Sequence, residues 1–184
     1  MIAAVVLAAG ASTRLGEPKQ LIVIDGETLL ERAVRIALEA GLAPVIVVVQ
    51  DATLIETLQA HGAQVLLNRK FYEGMSTSIH AGVRWAGGMK VDGVVLMTCD
   101  QPGVTAGHLQ DLSAQPESIA GSGYAGKIGI PAYFPSSRFG ELMKLSGDAG
   151  ARELLCGARA VNCEALGLDI DTEDDLKRAR EMFG

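Results

Sequence analysis

Three short apolar runs, at residues 2–7, 45–49 and 94–97, constrain the fold of this chain more than any other feature. They carry no charge and are rich in β-branched residues. A strand with one wet face alternates apolar and polar residues, whereas an unbroken apolar strand must be covered on both faces. The segments between them have helical spacing. Residues 27–40 hold a capping-box pair, Thr28 and Glu31, and stop at Gly41. Asp51 can cap a short helix to Ala60, and residues 64–67 form a further strand. Ser76 reads as the cap of a helix toward Trp85, and Thr105 begins one to Leu112. From residue 118 onward, Gly121, Gly123, Gly126 and Gly129 punctuate a hairpin or irregular insertion before a strand at 130–134. Helices follow at 139–145 and 149–155, then a weak strand at 160–162. Thr172 and Asp175 can cap a last helix to Phe183. This alternation predicts one α/β domain over residues 1–184, an open, mostly parallel twisted sheet with helices on both faces.

Composition removes several functions. The 184 residues carry a net charge of −6 with no basic block, which argues against a nucleic-acid partner. The run at 2–9 lacks a cationic leader and is too short to span a bilayer, so no membrane role is expected. Cys99, Cys156 and Cys163 have neither metal nor redox spacing, and reduced thiols fit a cytoplasmic protein. His61, His80 and His108 form no cluster. An anionic ligand must therefore be held locally, by a few cations, backbone N–H groups or a metal.

In open α/β sheets, ligands sit beyond the carboxyl ends of the strands. The first run leads into Leu7-Ala8-Ala9-Gly10, followed by Arg14, Gly16, Pro18 and Lys19. Small residues let backbone N–H groups approach phosphate oxygens, and Arg14 and Lys19 add charge. The spacing is neither a dinucleotide fingerprint nor a Walker loop. Asp100 follows the run at 94–97 and suits either a Mg²⁺ ligand or a turn residue before Pro102. Asp169 and Asp171 flank Ile170 and share a face if extended. Asp171 can instead help Thr172 cap the last helix. Asp148 and Arg152 stand four apart, the spacing of a helical ion pair. Asn68 ends its strand where it could face the same pocket, and Cys99 reads as packing.

The series Leu7-Ala8-Ala9-Gly10-x-Ser12-x-Arg14-x-Gly16-x-Pro18-Lys19 resembles the signature of the nucleotidyltransferase superfamily that activates sugars and cofactors. Within it, the chain resembles the molybdenum cofactor cytidylyl- and guanylyltransferases. Matching stretches recur at Gly74-Met75-Ser76-Thr77-Ser78, Asp100-Gln101-Pro102, Gly147-Asp148-Ala149-Gly150-Ala151-Arg152 and Asp169-Ile170-Asp171-Thr172. The resemblance implies a Rossmann-like nucleotidyltransferase fold. It implies Mg²⁺-dependent transfer of a nucleoside monophosphate to a phosphorylated acceptor of the molybdopterin type, with release of pyrophosphate and a molybdoenzyme as a partner. It also implies that Leu7, Ala8, Ala9, Gly10, Arg14, Lys19 and Ser78 bind the nucleotide. Arg14, Lys19 and Asp100 would be catalytic, and Asp171, or Asp169 as second candidate, would share the metal with Asp100.

Ala8 and Ala9 point to CTP, because GTP-using members more often carry a second glycine here. One methyl crowding a purine discriminates by only about 1–3 kcal/mol. The resemblance also places Asp148 and Arg152 near the acceptor, while Ile130 stands where relatives frequently have histidine. The rivals are a GTP donor, a sugar-phosphate acceptor, or a non-catalytic nucleotide- or pterin-handling module. Hydride transfer is disfavoured because the dinucleotide fingerprint is missing.

Overall fold

The computed structural model describes residues 1–10 and 15–184. In chain order the strands and helices are β1 (Ile2–Ala8), β2 (Val23–Ile24), β3 (Glu27–Thr28), α1 (Leu29–Glu39), β4 (Val45–Val49), α2 (Ile55–Ala60) and β5 (Gln64–Leu67). Next come α3 (Met75–Gly88), β6 (Gly93–Thr98), α4 (Ala106–Ser113), β7 (Ala120–Tyr124), β8 (Lys127–Pro135), α5 (Phe139–Leu142), β9 (Arg159–Asn162) and α6 (Glu173–Phe183). Seven strands form one sheet in the order β5-β4-β1-β6-β8-β7-β9. Both neighbours of β1 run parallel to it, and β8 runs antiparallel to β6 and β7. The mostly parallel α/β expectation holds.

The three apolar runs lie at the centre because both of their faces are covered. Ala4 and Val6 pack with Leu30 and Val34 of α1 and Leu109 of α4. Ala3 and Val5 pack on the other side with Ile79 and Val83 of α3 and Leu142 of α5. A Cβ on Gly82 would lie 2.3 Å from Val5, so glycine lets α3 close on the sheet. No helix among the described residues is long and apolar enough to cross a membrane.

Both capping boxes form, Thr28 with Glu31 and Thr172 with Asp175. The start of α3 differs from expectation. Gly74, not Ser76, is its N-cap, and Ser76 lies buried inside the helix. Residues 120–135 form a hairpin rather than an irregular insertion. Its turn places Ala125 and Gly126 at φ of 49° and 69°, the conformation that matches strand twist. Residues 151–155 form a 3₁₀ helix, not an α-helix.

A third apolar cluster stands beside the two sheet layers. It joins Leu15, Ile22, Ile24 and Leu29 to Leu168, Ile170, Leu176 and Ala179, so the chain after β1 packs on α6 and the segment before it.

Candidate functional site

That third cluster assembles three charges from distant parts of the chain. Asp100 lies two residues beyond the end of β6. The Ile170 N–H donates to the Asp100 carbonyl at 3.0 Å, and the Ile170 side chain is fully buried in the cluster. Asp169 and Asp171 therefore emerge beside Asp100. Ile22 and Ile24 enter the same cluster and bring Lys19 with them. The Lys19 Nζ stands 3.3 Å from Asp100 Oδ2 and pairs with Asp171 Oδ1 across 152 residues. Thr172, not Asp171, caps α6, which leaves the Asp171 carboxylate to this pairing.

The electrostatics follow from burial and proximity. Burial works against the Lys19 charge, but the Asp171 hydrogen bond and the charges of Asp100 and Asp171 outweigh it, and its pKa is raised. Burial, then the Asp100 charge, pushes the Asp169 carboxyl above its ordinary range, against a Gln101 hydrogen bond and the Lys127 charge. Burial and then Asp100 push the Cys99 thiol up to about 12, which agrees with a packing role.

The donor set fits Mg²⁺. Asp100 and Asp171 converge on one cationic position, the ammonium of Lys19, and both offer hard oxygens. Among the described residues, no group of three or more His, Cys, Asp or Glu is placed to hold a metal. Mg²⁺ commonly takes one or two carboxylates, with phosphate oxygens and water completing its shell.

Beside these carboxylates lies a cavity of about 450 Å³ at the carboxyl end of β1. Leu7, Ala8, Ala9, Gly10, Lys19, Ser78 and Asp100 all line it. Asp169 and Asp171 are not among its lining residues, and Arg14 falls outside the described residues. Phe71, Tyr72, Met75 and Asp148 also line the cavity, and sequence reasoning missed the two aromatic residues. Their rings sit edge to face at 6.0 Å, and Tyr72 is 74% exposed. The available signal was two adjacent aromatics after a strand, in a chain with only 4% aromatic residues.

Asn68 holds this wall together and does not itself line the cavity. Its amide nitrogen donates to Thr77 Oγ1 at 2.8 Å and to Ser78 Oγ at 2.9 Å, and its oxygen accepts from the Lys70 N–H at 2.9 Å. Gly74, at φ 110°, packs so closely on the next loop that a Cβ would lie 2.2 Å from the Gly147 carbonyl carbon. The Ser76 N–H also donates to Gly147 O at 3.1 Å. These contacts bring Asp148 to the cavity edge.

Asp148 and Arg152 do not form the expected i,i+4 pair. Arg152 belongs to the 3₁₀ helix, where spacing of three aligns side chains, and Asp148 precedes that helix. Asp148 also walls a second cavity of about 630 Å³, lined with Lys127, Arg152 and Cys156. The Lys127 Nζ sits 5.2 Å above the Tyr124 ring. The Tyr124 hydroxyl accepts from Gln101 Nε2 at 3.3 Å and donates to Ile130 O at 3.1 Å. The Ile130 side chain packs on the α3 and α5 layer.

A buried histidine–serine pair lies in the fold's interior. The Ser122 hydroxyl donates to Pro131 O at 2.6 Å, so His108 Nε2, 2.7 Å away, is the donor to Ser122. With its proton committed and no exposure, Ser122 is not a nucleophile.

Residues 4–161 match the family model described as the MobA-like NTP transferase domain. The chain is 34% identical to the purine catabolism protein PucB of Bacillus subtilis, over 97% of this chain and 96% of that protein. It is 30% identical to nicotine blue oxidoreductase of Paenarthrobacter nicotinovorans, over 96% and 95%. Its fold resembles a Mycobacterium tuberculosis protein solved as a complex with manganese. The TM-score is 0.74 at 30% identity, over 98% of each chain.

Proposed function

The chain belongs to the MobA-like NTP transferase family, and from that premise we propose that it uses Mg²⁺ to transfer CMP from CTP to a phosphorylated acceptor of the molybdopterin type. The observation that carries this reading is the convergence of Lys19, Asp100 and Asp171 beside a cavity lined by the small residues ending β1. The whole of residues 1–184 acts as one cytoplasmic transferase domain, and the product passes to a molybdoenzyme.

Ala8, Ala9 and Gly10 let the nucleotide approach the backbone. The Ala9 methyl favours a pyrimidine over a purine. Ser78 accepts from Asn68, so its own hydroxyl hydrogen is available to the base or ribose. Lys19 stays charged at neutral pH and donates to the triphosphate, and Arg14, five residues earlier in the sequence, shares that task. Asp100 and Asp171 would hold Mg²⁺, with Asp169 the alternative to Asp171. The bound ion supplies charge neutralisation on the phosphates. An acceptor phosphate oxygen attacks the α-phosphorus, the bond to the bridging oxygen breaks, and pyrophosphate leaves. The attacking phosphate is already ionised, so alignment and charge stabilisation replace a general base.

One relative's name raises hydride transfer as a second reading. The paired hard-oxygen donors beside Lys19 speak against it, because moving a hydride does not require them.

Thermal denaturation with Mg²⁺ and CTP or GTP tests the donor site. A ligand at about 100 times its dissociation constant adds roughly 2.7 kcal/mol, on the order of 5 °C for such a domain. A CTP-selective shift that needs Mg²⁺ and disappears in Asp100→Ala is expected. A GTP-selective shift would reverse the base assignment, and a shift with neither nucleotide would remove the transferase reading.

A further inference from the structure

We propose that Gln101 is a positioning residue: its buried amide holds the segment that carries Asp171 against the end of β6 that carries Asp100, and so sets the affinity of the two carboxylates for a divalent metal. This inference rests on the transferase reading above.

Asp171 has no strand or helix of its own. It ends the segment between β9 and α6, which contains a 3₁₀ turn at Glu164–Gly167, so the backbone there must find its partners outside a ladder. Residues 100–103 supply them. The Ile170 N–H donates to Asp100 O at 3.0 Å, and the Gln101 amide nitrogen donates to Leu166 O at 3.3 Å. Gly103 approaches so closely that a Cβ would lie 2.4 Å from the Ala165 carbonyl oxygen. At the other end of the segment, the Cys163 N–H donates to Gly123 O at 2.9 Å and ties it to the β7–β8 hairpin.

The Gln101 side chain joins these contacts. It is 5% exposed and Leu166 is fully buried, so Leu166 O needs a donor from the protein. The second partner of the amide nitrogen is the Tyr124 hydroxyl, at 3.3 Å. That hydroxyl gives its hydrogen to Ile130 O, so toward Gln101 it accepts. Both partners are acceptors, which fixes the nitrogen end of the amide toward them. One side chain thus anchors the hairpin and the Asp171 segment beside Asp100. Without its two N–H groups, Leu166 O must turn toward water, and the segment moves Asp171 relative to Asp100.

Gln101→Met keeps an unbranched side chain and removes both donors. The test is Mn²⁺ uptake by the nucleotide-free protein, read from the electron paramagnetic resonance signal of the free ion. Mn²⁺ favours the same hard-oxygen ligands as Mg²⁺. Gln101→Met should weaken uptake about 10–100-fold, the usual loss when a group that orients metal ligands is removed. Tyr124→Phe, which leaves the bond to Leu166 O, should weaken it less. It also decides the matter if circular dichroism shows Gln101→Met unfolded. Ile46→Ala, in the central sheet, should lower stability and leave uptake unchanged. Wild-type affinity in folded Gln101→Met or in Tyr124→Phe, or equal weakening in Ile46→Ala, would overturn the proposal alone. A wild-type protein that takes up no Mn²⁺ would remove the carboxylate pair as a metal site and the proposal with it. The CTP-dependent thermal shift, measured separately, reports on the donor site, so the failures are distinguishable.

Discussion

The central sheet and the small cluster beside it use the same aliphatic residues for different ends. In the sheet, Val5, Ile46 and Val48 are buried in the layer that α3 and α5 cover. In the side cluster, Ile22, Ile24 and Ile170 are equally buried, but each lies within a few residues of a charge. Burying Ile170 sets Asp169 and Asp171 beside Asp100, and burying Ile22 brings Lys19 to meet them. The sheet supplies stability, whereas the side cluster converts burial into the placement of charge.

Substitutions in the two regions should therefore separate. The largest effect is expected at the charge itself. Lys19→Ala should lower kcat/KM for pyrophosphate release by about 10²–10³, the usual loss for a group that stabilises developing charge. An unchanged rate would show that the cluster places a charge without use. Ile170→Ala and Ile46→Ala should each cost about 2–5 kcal/mol in denaturant unfolding. Only Ile170→Ala should also raise the Mg²⁺ concentration needed for half-maximal turnover. An equal rise in both would erase the distinction.

The capping boxes provide a milder version of the same comparison. Thr28→Ala and Thr172→Ala should each lose about 1 kcal/mol, and only Thr172→Ala, beside Asp171, should alter the Mg²⁺ requirement. The smallest effect belongs to the interior alone. Burial, opposed only by the Asp111 charge, depresses the His108 pKa below its ordinary value. The unfolded chain then binds the proton more readily than the folded one. His108 therefore contributes stability above the unfolded histidine range, near pH 6.5, and that contribution is lost as pH falls through the lower folded pKa. Melting curves from pH 7 to 5 should flatten in His108→Gln, while CTP binding at neutral pH stays unchanged.

Legibility in the sequence followed the same division. The runs at 2–7, 45–49 and 94–97 carry their burial in their own residues, so the strands and their order of appearance could be read directly. The capping pairs Thr28–Glu31 and Thr172–Asp175 are local and equally legible. The start of α3 was misread because Ser76 is a good cap by type, while Gly74 holds a backbone conformation fixed by contact with Gly147, far along the chain. The ion pair from Asp148 to Arg152 failed because a 3₁₀ turn replaced the α-helix on which that spacing depends. Lys19, Asp100 and Asp171 could be named singly from their motifs. Their meeting depends on the burial of Ile22 and Ile170 in one cluster, which no local pattern encodes. Phe71 and Tyr72 escaped notice because two exposed aromatics have no periodicity to reveal a wall.

The most direct test of the account is pyrophosphate release from CTP with a molybdopterin-type acceptor, titrated with Mg²⁺, in the wild type, Asp100→Ala and Asp171→Ala. Turnover should saturate with Mg²⁺ and fall by about 10²–10³ in each variant. Full turnover in Asp100→Ala, or turnover in the wild type that ignores Mg²⁺, would contradict it.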